Sequence, residues 1–263
     1  PGVGARMRCA AILCAMRFLS FAAAVVLSLT VSACHSVAVD DSEVSPPSTF
    51  GLTAESFVPK VRDAHAKQSS VFSVLAVSER DRTLAMEGPI HWGESPTDVR
   101  AEIESSNTDT NSVVRMIVLG DDFYLHGSAG MPTDTNLKFD LTDSESSMAK
   151  QGEFIRKQLS PMGLFDELAQ AKPEVVADGT GPRIDGVKTT MWILRVDSKA
   201  LPSLKNAIRM GDSLELTMWL GEDMLVRKLK TKVEGGTLIQ SWSDWGSAAD
   251  VEAPRTEDVV AWD

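Results

Sequence analysis

Apolar positions along this chain fall into three spacings, and each predicts a different element. The first is continuous: FLSFAAAVVLSLTV comes after Met16-Arg17 without a charge. The second is helical. In TAESFVPKVRDAHAK, Phe57, Val61 and Ala64 recur on one face behind Thr53 as a candidate N-cap, and Pro59 moves the expected start toward itself. The third is alternation, which from residue 69 predicts strands over 69–79, 82–92, 99–106, 112–120, 122–127 and 136–142, separated by Gly, Pro, Asn and Asp clusters. Helical spacing returns over 145–171, where Phe154, Ile155 and Leu159 mark one apolar face and Leu164, Phe165 and Leu168 the next, with Pro161 starting the second helix.

After Pro173 come EVVADGT, a loop GPRIDG and a strand over 187–197. A helix-like linker over 198–208 leads to strands over 214–222, 224–233 and 237–245, with a hairpin hinge at Gly235-Gly236. Helix, strands, helix pair, strands is the order of an α+β fold: a curved antiparallel sheet with helices packed on one face.

The continuous run changes the picture most. Arg17, the 14-residue apolar stretch and Val31-Ser32-Ala33-Cys34 have the order of a bacterial lipoprotein signal: charged start, apolar middle, small residues, then cysteine. Met7 and Met16 are both candidate initiators. Residues 1–33 are thus expected to be a signal peptide, and Cys34 to take lipid and become the mature start. The competing reading is an uncleaved membrane anchor, but residues 18–33 give about 16 apolar positions where a span needs about 20. Residues 34–52, acidic and rich in Pro and Ser, are expected to be a flexible spacer. The domain then covers 53–254, with 255–263 as a C-terminal tail.

Charge supports a covalent tether. The net charge is −11 over 263 residues, and Arg6, Arg8 and Arg17 are the only charges before Cys34, so the chain beyond Cys34 is more negative still. That sign excludes nucleic acid as a partner and argues against peripheral binding to anionic headgroups. All three cysteines, Cys9, Cys14 and Cys34, lie at or before position 34, so the domain rests on its apolar core alone.

No motif for catalysis or metal binding is found. His35 lies in the spacer; His65, His91 and His126 show no metal spacing and are expected at the surface or in hairpins. There is no GxSxG elbow, and GTGPRIDG runs strand to strand with Ile184 where a dinucleotide loop needs glycine. Asp109, Asn111 and Asp121-Asp122 lack calcium-loop spacing and are expected as solvated turn carboxylates. Lys228, Lys230 and Lys232 alternate along one strand, either as a solvent face or at the mouth of a cavity. No enzyme activity, cofactor or metal is expected.

Several segments carry a family resemblance. They are VVRMIVLGDDFYLHGS, the helical block ending SPMGLFDELAQA, DGTGPRIDGVKTTMWILRVD, LELTMWLGEDMLVRKLK and the ending SDWGSAADVEAP. Over about residues 50–254 the chain resembles the actinobacterial lipoproteins of the LppX/LprG kind, which share the LolA-like fold. This chain has Leu137-Lys138-Phe139 where that family usually has Trp. The resemblance implies a half-barrel sheet over helices on its concave face, with an apolar cavity between them for lipid or glycolipid. Shielding a ~16-carbon chain is worth roughly 13 kcal/mol at about 0.8 kcal/mol per CH₂, which calls for an interior site. Phe154, Leu159, Leu164, Phe165 and Leu168 are the expected cavity floor.

The expected function is a membrane-anchored lipid carrier or chaperone on the extracytoplasmic face of the cell membrane. Its partners would be a lipid or glycolipid, the membrane through acylated Cys34, and a membrane transporter. The alternatives are an envelope interaction or structural lipoprotein with a filled core, and an esterase-like enzyme. The helical block discriminates: Phe154, Leu164 and Phe165 facing a void favours the carrier, and interdigitation with Trp192 and Trp219 favours the filled core.

Overall fold

The described residues fold into one open twelve-stranded sheet with three α-helices on its concave face. The computed structural model describes residues 54–79, 82–95, 98–108, 112–127, 135–159, 161–202 and 211–261. The signal segment, Cys34 and the spacer lie outside the described residues, as do Asp109, Asn111 and most of the linker expected over 198–208.

Helix α1 (Ala54–His65) precedes β1 (Ser70–Glu79), β2 (Arg82–Trp92), β3 (Val99–Asn107), β4 (Ser112–Leu119), β5 (Asp122–His126) and β6 (Asn136–Asp140). Helices α2 (Ser147–Leu159) and α3 (Pro161–Ala171) come next. The chain continues through β7 (Glu174–Ile184), β8 (Val187–Asp197), β9 (Ser213–Gly221), β10 (Val226–Val233), β11 (Gly236–Ser243) and β12 (Val259–Ala261). The strand order is β12-β6-β5-β4-β3-β2-β1-β11-β10-β9-β8-β7. Two antiparallel meanders, β1–β6 and β7–β11, are therefore joined by the β1–β11 pair.

This topology fixes where α2 and α3 lie. They connect β6, near one edge, to β7, at the other, so the chain must cross the sheet. Ten strand spacings span about 48 Å if flat. Helices of 13 and 11 residues reach about 36 Å even end to end, at about 1.5 Å per residue. Curvature of the sheet and the flanking linkers make up the difference, and the helices lie across the concave face. Gly152 lets α2 approach closely, since a Cβ there would lie 2.4 Å from the Leu141 Cδ2 and 3.2 Å from the Phe123 ring.

Alternation places one set of side chains inward. Val71, Ile90, Val99, Ala101, Ile103, Phe123 and Leu125 from the first meander join Trp192, Leu194, Leu216, Met218 and Trp242 from the second in a single core. Phe57, Val58 and Val61 of α1, Met148 of α2, and Phe165 and Leu168 of α3 cover it. Arg62 of α1 meets Asp166 of α3 at 2.5 Å, fastening these helices side by side.

Four sequence expectations shift. Helix α1 begins at Ala54 and runs through Pro59, losing a backbone donor there. GPRIDG is mostly strand: β7 continues to Ile184, and the turn shrinks to Asp185 and Gly186, with φ of 47° and 77°. Pro182 is tolerated because β7 is an edge strand with register shifts, and its carbonyl accepts the Thr189 hydroxyl at 2.6 Å. The β10–β11 turn falls one residue early, on Glu234 and Gly235, with Gly236 already opposite Val233. Finally, residues 255–263 include β12, which pairs in parallel with β6. The segment leading to it seats Val251 against Ile117 and Tyr124 on the outer face.

Candidate functional site

The concave face under the helices is closed at one end and partly open at the other. Burial falls along its central strands. On β1, Val71 and Ser73 are buried, while Leu75 and Val77 on the same face keep part of their surface. On β2, Ile90 and Gly88 are buried, while Met86 and Leu84 are not fully covered. The pairing Leu75↔Met86 and Val77↔Leu84 makes these four a contiguous apolar patch. Leu238, opposite Val77, is buried at its margin. Where the burial changes, the Gln240 side-chain amide donates to the Ser73 hydroxyl at 3.3 Å, a polar spot on an otherwise apolar face.

The closed end is built around His65. Sequence reasoning expects this histidine at the surface, but it is fully buried. Its Nδ1–H donates to the Val61 carbonyl at 2.6 Å, which leaves Nε2 to accept the Val226 amide at 3.3 Å. Val226 stands at a register shift between β9 and β10, where the ladder leaves backbone groups unpaired. Its carbonyl accepts the Trp245 indole N–H at 3.2 Å. One ring face of His65 packs on Phe165 at 4.1 Å, and Trp245 meets it edge-on at 4.7 Å. Burial pushes the His65 pKa down to about 4, so the ring is neutral. It seals the fold and has no room to act on a ligand.

The expected floor residues separate accordingly. Phe165 and Leu168 are fully buried in the core. Leu159 and Leu164 are half-buried and pack against that core beside Ile155. Phe154 is 37% exposed. The two tryptophans named as discriminators lie on opposite faces: Trp192 is inside, 4.6 Å from Phe57, while Trp219 is outside with the Lys228 ammonium 5.5 Å above its ring. The row Leu75, Val77, Leu84 and Met86 was missed by sequence reasoning. Its signal, alternation, is shared by every strand and does not say where the helices stop.

The remaining polar features lie elsewhere. Buried Arg156 of α2 bonds the Gly120 carbonyl at 3.0 Å and Asp121 at 2.9 Å, and pairs with Glu153. It ties the helix to the β4–β5 turn, so Asp121 is an ion-pair partner as well as a turn carboxylate. His126 bonds the Thr135 carbonyl at 3.1 Å, and His91 bonds that of Ala249 at 2.7 Å. An open polar cleft of about 430 Å³ beside His91, with Arg100, Asp98, Asp250 and Glu252 on its walls, lies away from the helices.

No protein-family model matches the chain, and no curated protein matches it. Solved structures do. LprF from Mycobacterium bovis aligns with a TM-score of 0.54 at 13% identity, covering 76% of this chain and 96% of that one. The Mycobacterium tuberculosis lipoprotein LppX aligns with a TM-score of 0.51 at 14% identity, covering 76% and 98%. At such identity the likeness is one of fold. The chain has the α+β, half-barrel fold of the LppX/LprG-type mycobacterial lipoproteins, the one its sequence resemblance implied.

Proposed function

We propose that this protein binds the acyl chains of a lipid or glycolipid beneath its helices, as a carrier or chaperone held on the extracytoplasmic face of the cell membrane by lipid on Cys34. The observation that carries this reading is the apolar row Leu75, Val77, Leu84 and Met86, which faces the concave side yet keeps surface uncovered. A domain that had only to fold would gain about 25 cal/mol for each Å² of that surface it buried. Leu159, Leu164 and Ile155 on the helices are the apolar counterpart. A membrane transporter would be the natural donor or acceptor of the cargo. No chemistry beyond binding is needed, and we assign no enzymatic activity.

A second reading, an interaction lipoprotein with a filled core, draws on the close packing of Phe165 against His65 and of Phe57 against Trp192. Native mass spectrometry of the domain expressed in an envelope-bearing bacterial host, with lipid extraction afterwards, separates the two. A carrier co-purifies with diacyl or triacyl lipid and loses it on Leu164→Glu. An apo mass that takes up no added lipid leaves the filled-core reading.

A further inference from the structure

The outer face of the sheet divides sharply. Over β4 to β6 it is covered by the chain itself, because the C-terminal segment lays Val251 and Val259 on Ile117, Leu119 and Tyr124. Over β1, β2 and β8 to β11 the register gives its composition directly. One row across the strands runs Glu87, Val74, Ser241, Lys228, Trp219, Met191, with the acidic Glu87 at its β2 margin. The next runs Ala85, Ala76, Ile239, Lys230, Thr217, Ile193. Val74, Ala76, Ile239, Trp219, Met191 and Ile193 are all partly exposed.

Through the middle of this apolar field runs β10, with Lys228, Lys230 and Lys232 on the outer face at about 6.6 Å intervals. None of the three has an ion-pair partner among the described residues. Lys228 lies over Trp219, so its charge stays beside apolar surface.

We propose that this half of the outer face rests on an anionic lipid surface, with the three ammonium groups at the level of the headgroups and Trp219, Ile239 and Met191 at the apolar boundary. The complementarity is local. Lysine held near an anionic leaflet is favoured and an aromatic ring suits the interface. Of the acidic groups on this face, Glu215 stands opposite Arg195 and Glu87 lies at the β2 margin, while those beyond about 10 Å are screened at physiological salt. The net charge of −11 therefore does not decide the orientation of a tethered domain. Docking in this pose turns the concave face and α1 away from the bilayer. The proposal rests on the reading of Cys34 as the membrane tether, but not on acyl-chain binding under the helices.

The test couples the chain from Cys34 onward, which keeps every described element, through its single thiol to a maleimide lipid in vesicles. This supplies the tether chemically, so a failure of native acylation does not enter the result. Lysines are labelled with an amine-reactive reagent and quantified by mass spectrometry, on phosphatidylcholine vesicles and on vesicles with about 30% phosphatidylglycerol. We expect labelling of Lys228, Lys230 and Lys232 to fall by roughly threefold or more on the anionic vesicles and to recover in about 0.5 M salt. Lys60 and Lys67, exposed on and just after α1, should not change. Equal labelling on both vesicles, or a fall shared by Lys60 and Lys67, would overturn the proposal. Lipid extracted from the protein itself reports on the concave face separately.

Discussion

The two ends of the concave face are made from the same kind of strand and behave as different materials. At one end, Val71, Ile90, Val99 and Trp242 are 0–3% exposed under α1 and α3. Further along β1 and β2, Leu75, Val77, Leu84 and Met86 keep part of their surface. Apolar content does not separate them. What differs is cover, because helices that must travel from β6 to β7 cannot roof the whole of a twelve-stranded sheet. The His65 end is therefore the more tightly packed of the two, while the other joins the same core with part of its surface uncovered.

The largest effect should come from emptying the closed end. Phe165 is 1% exposed and stacks on His65. Phe165→Ala should cost about 3–5 kcal/mol, because the rigid rings around it cannot collapse into the space. Urea denaturation measures this directly. A loss below about 1.5 kcal/mol would mean that this end is as loosely packed as the other, and the contrast would fail.

The pH dependence should be nearly as large, and its sign comes from the buried ring. In the unfolded chain His65 titrates near 6.5; in the fold, burial lowers this to about 4. Between those values the unfolded state binds a proton that the native state refuses, so stability falls as pH drops from about 6.5 to about 4. The fall amounts to about 3 kcal/mol and levels off below that window. In His65→Phe this component should vanish, leaving a less stable protein with a flatter profile through the same range. Denaturation midpoints at half-unit pH steps would show it; an unchanged slope in the variant would place the titration elsewhere.

How much of this was legible in the sequence depends on the range of the interaction concerned. Strands 99–106 and 187–197 and the break at Pro161 were readable because alternation and proline act locally. The α+β class came from their order. His65 was only half readable: it follows Val61 by four residues on the buried face of its helix, but its partner Val226 lies 161 residues away, so the bond that allows an imidazole to be buried there has no local signal. The proline in β7 was misjudged because tolerance of Pro182 depends on β7 being an edge, a property of the assembled sheet. The tail failed in the same way, since β12 exists only through its pairing with β6. Among the expected floor residues, periodicity found the helix faces but did not rank them. Phe165 and Leu168 are sealed, Leu159 and Leu164 are half-buried, and Phe154 is exposed, according to where each helix meets the curve of the sheet.

The smallest expected effect on stability sharpens the contrast most. Leu75 has the same side chain as any core leucine, and full burial would make Leu75→Ala cost about 2–5 kcal/mol. It packs against the core but keeps part of its surface in water, so the hole left by truncation opens onto solvent. We expect a loss of about 1 kcal/mol or less, within the range of ordinary partly exposed sites. If acyl chains occupy this end, the same substitution removes apolar contact from the ligand. Lipid recovered by extraction should then fall while the urea midpoint hardly moves. A leucine that costs several kcal/mol in the lipid-free protein would show instead that the row is core, and that both ends of the face are built to fold. A change felt by the ligand and scarcely by the fold is the mark of surface kept for binding, and Leu75 is the residue at which the two demands separate most cleanly.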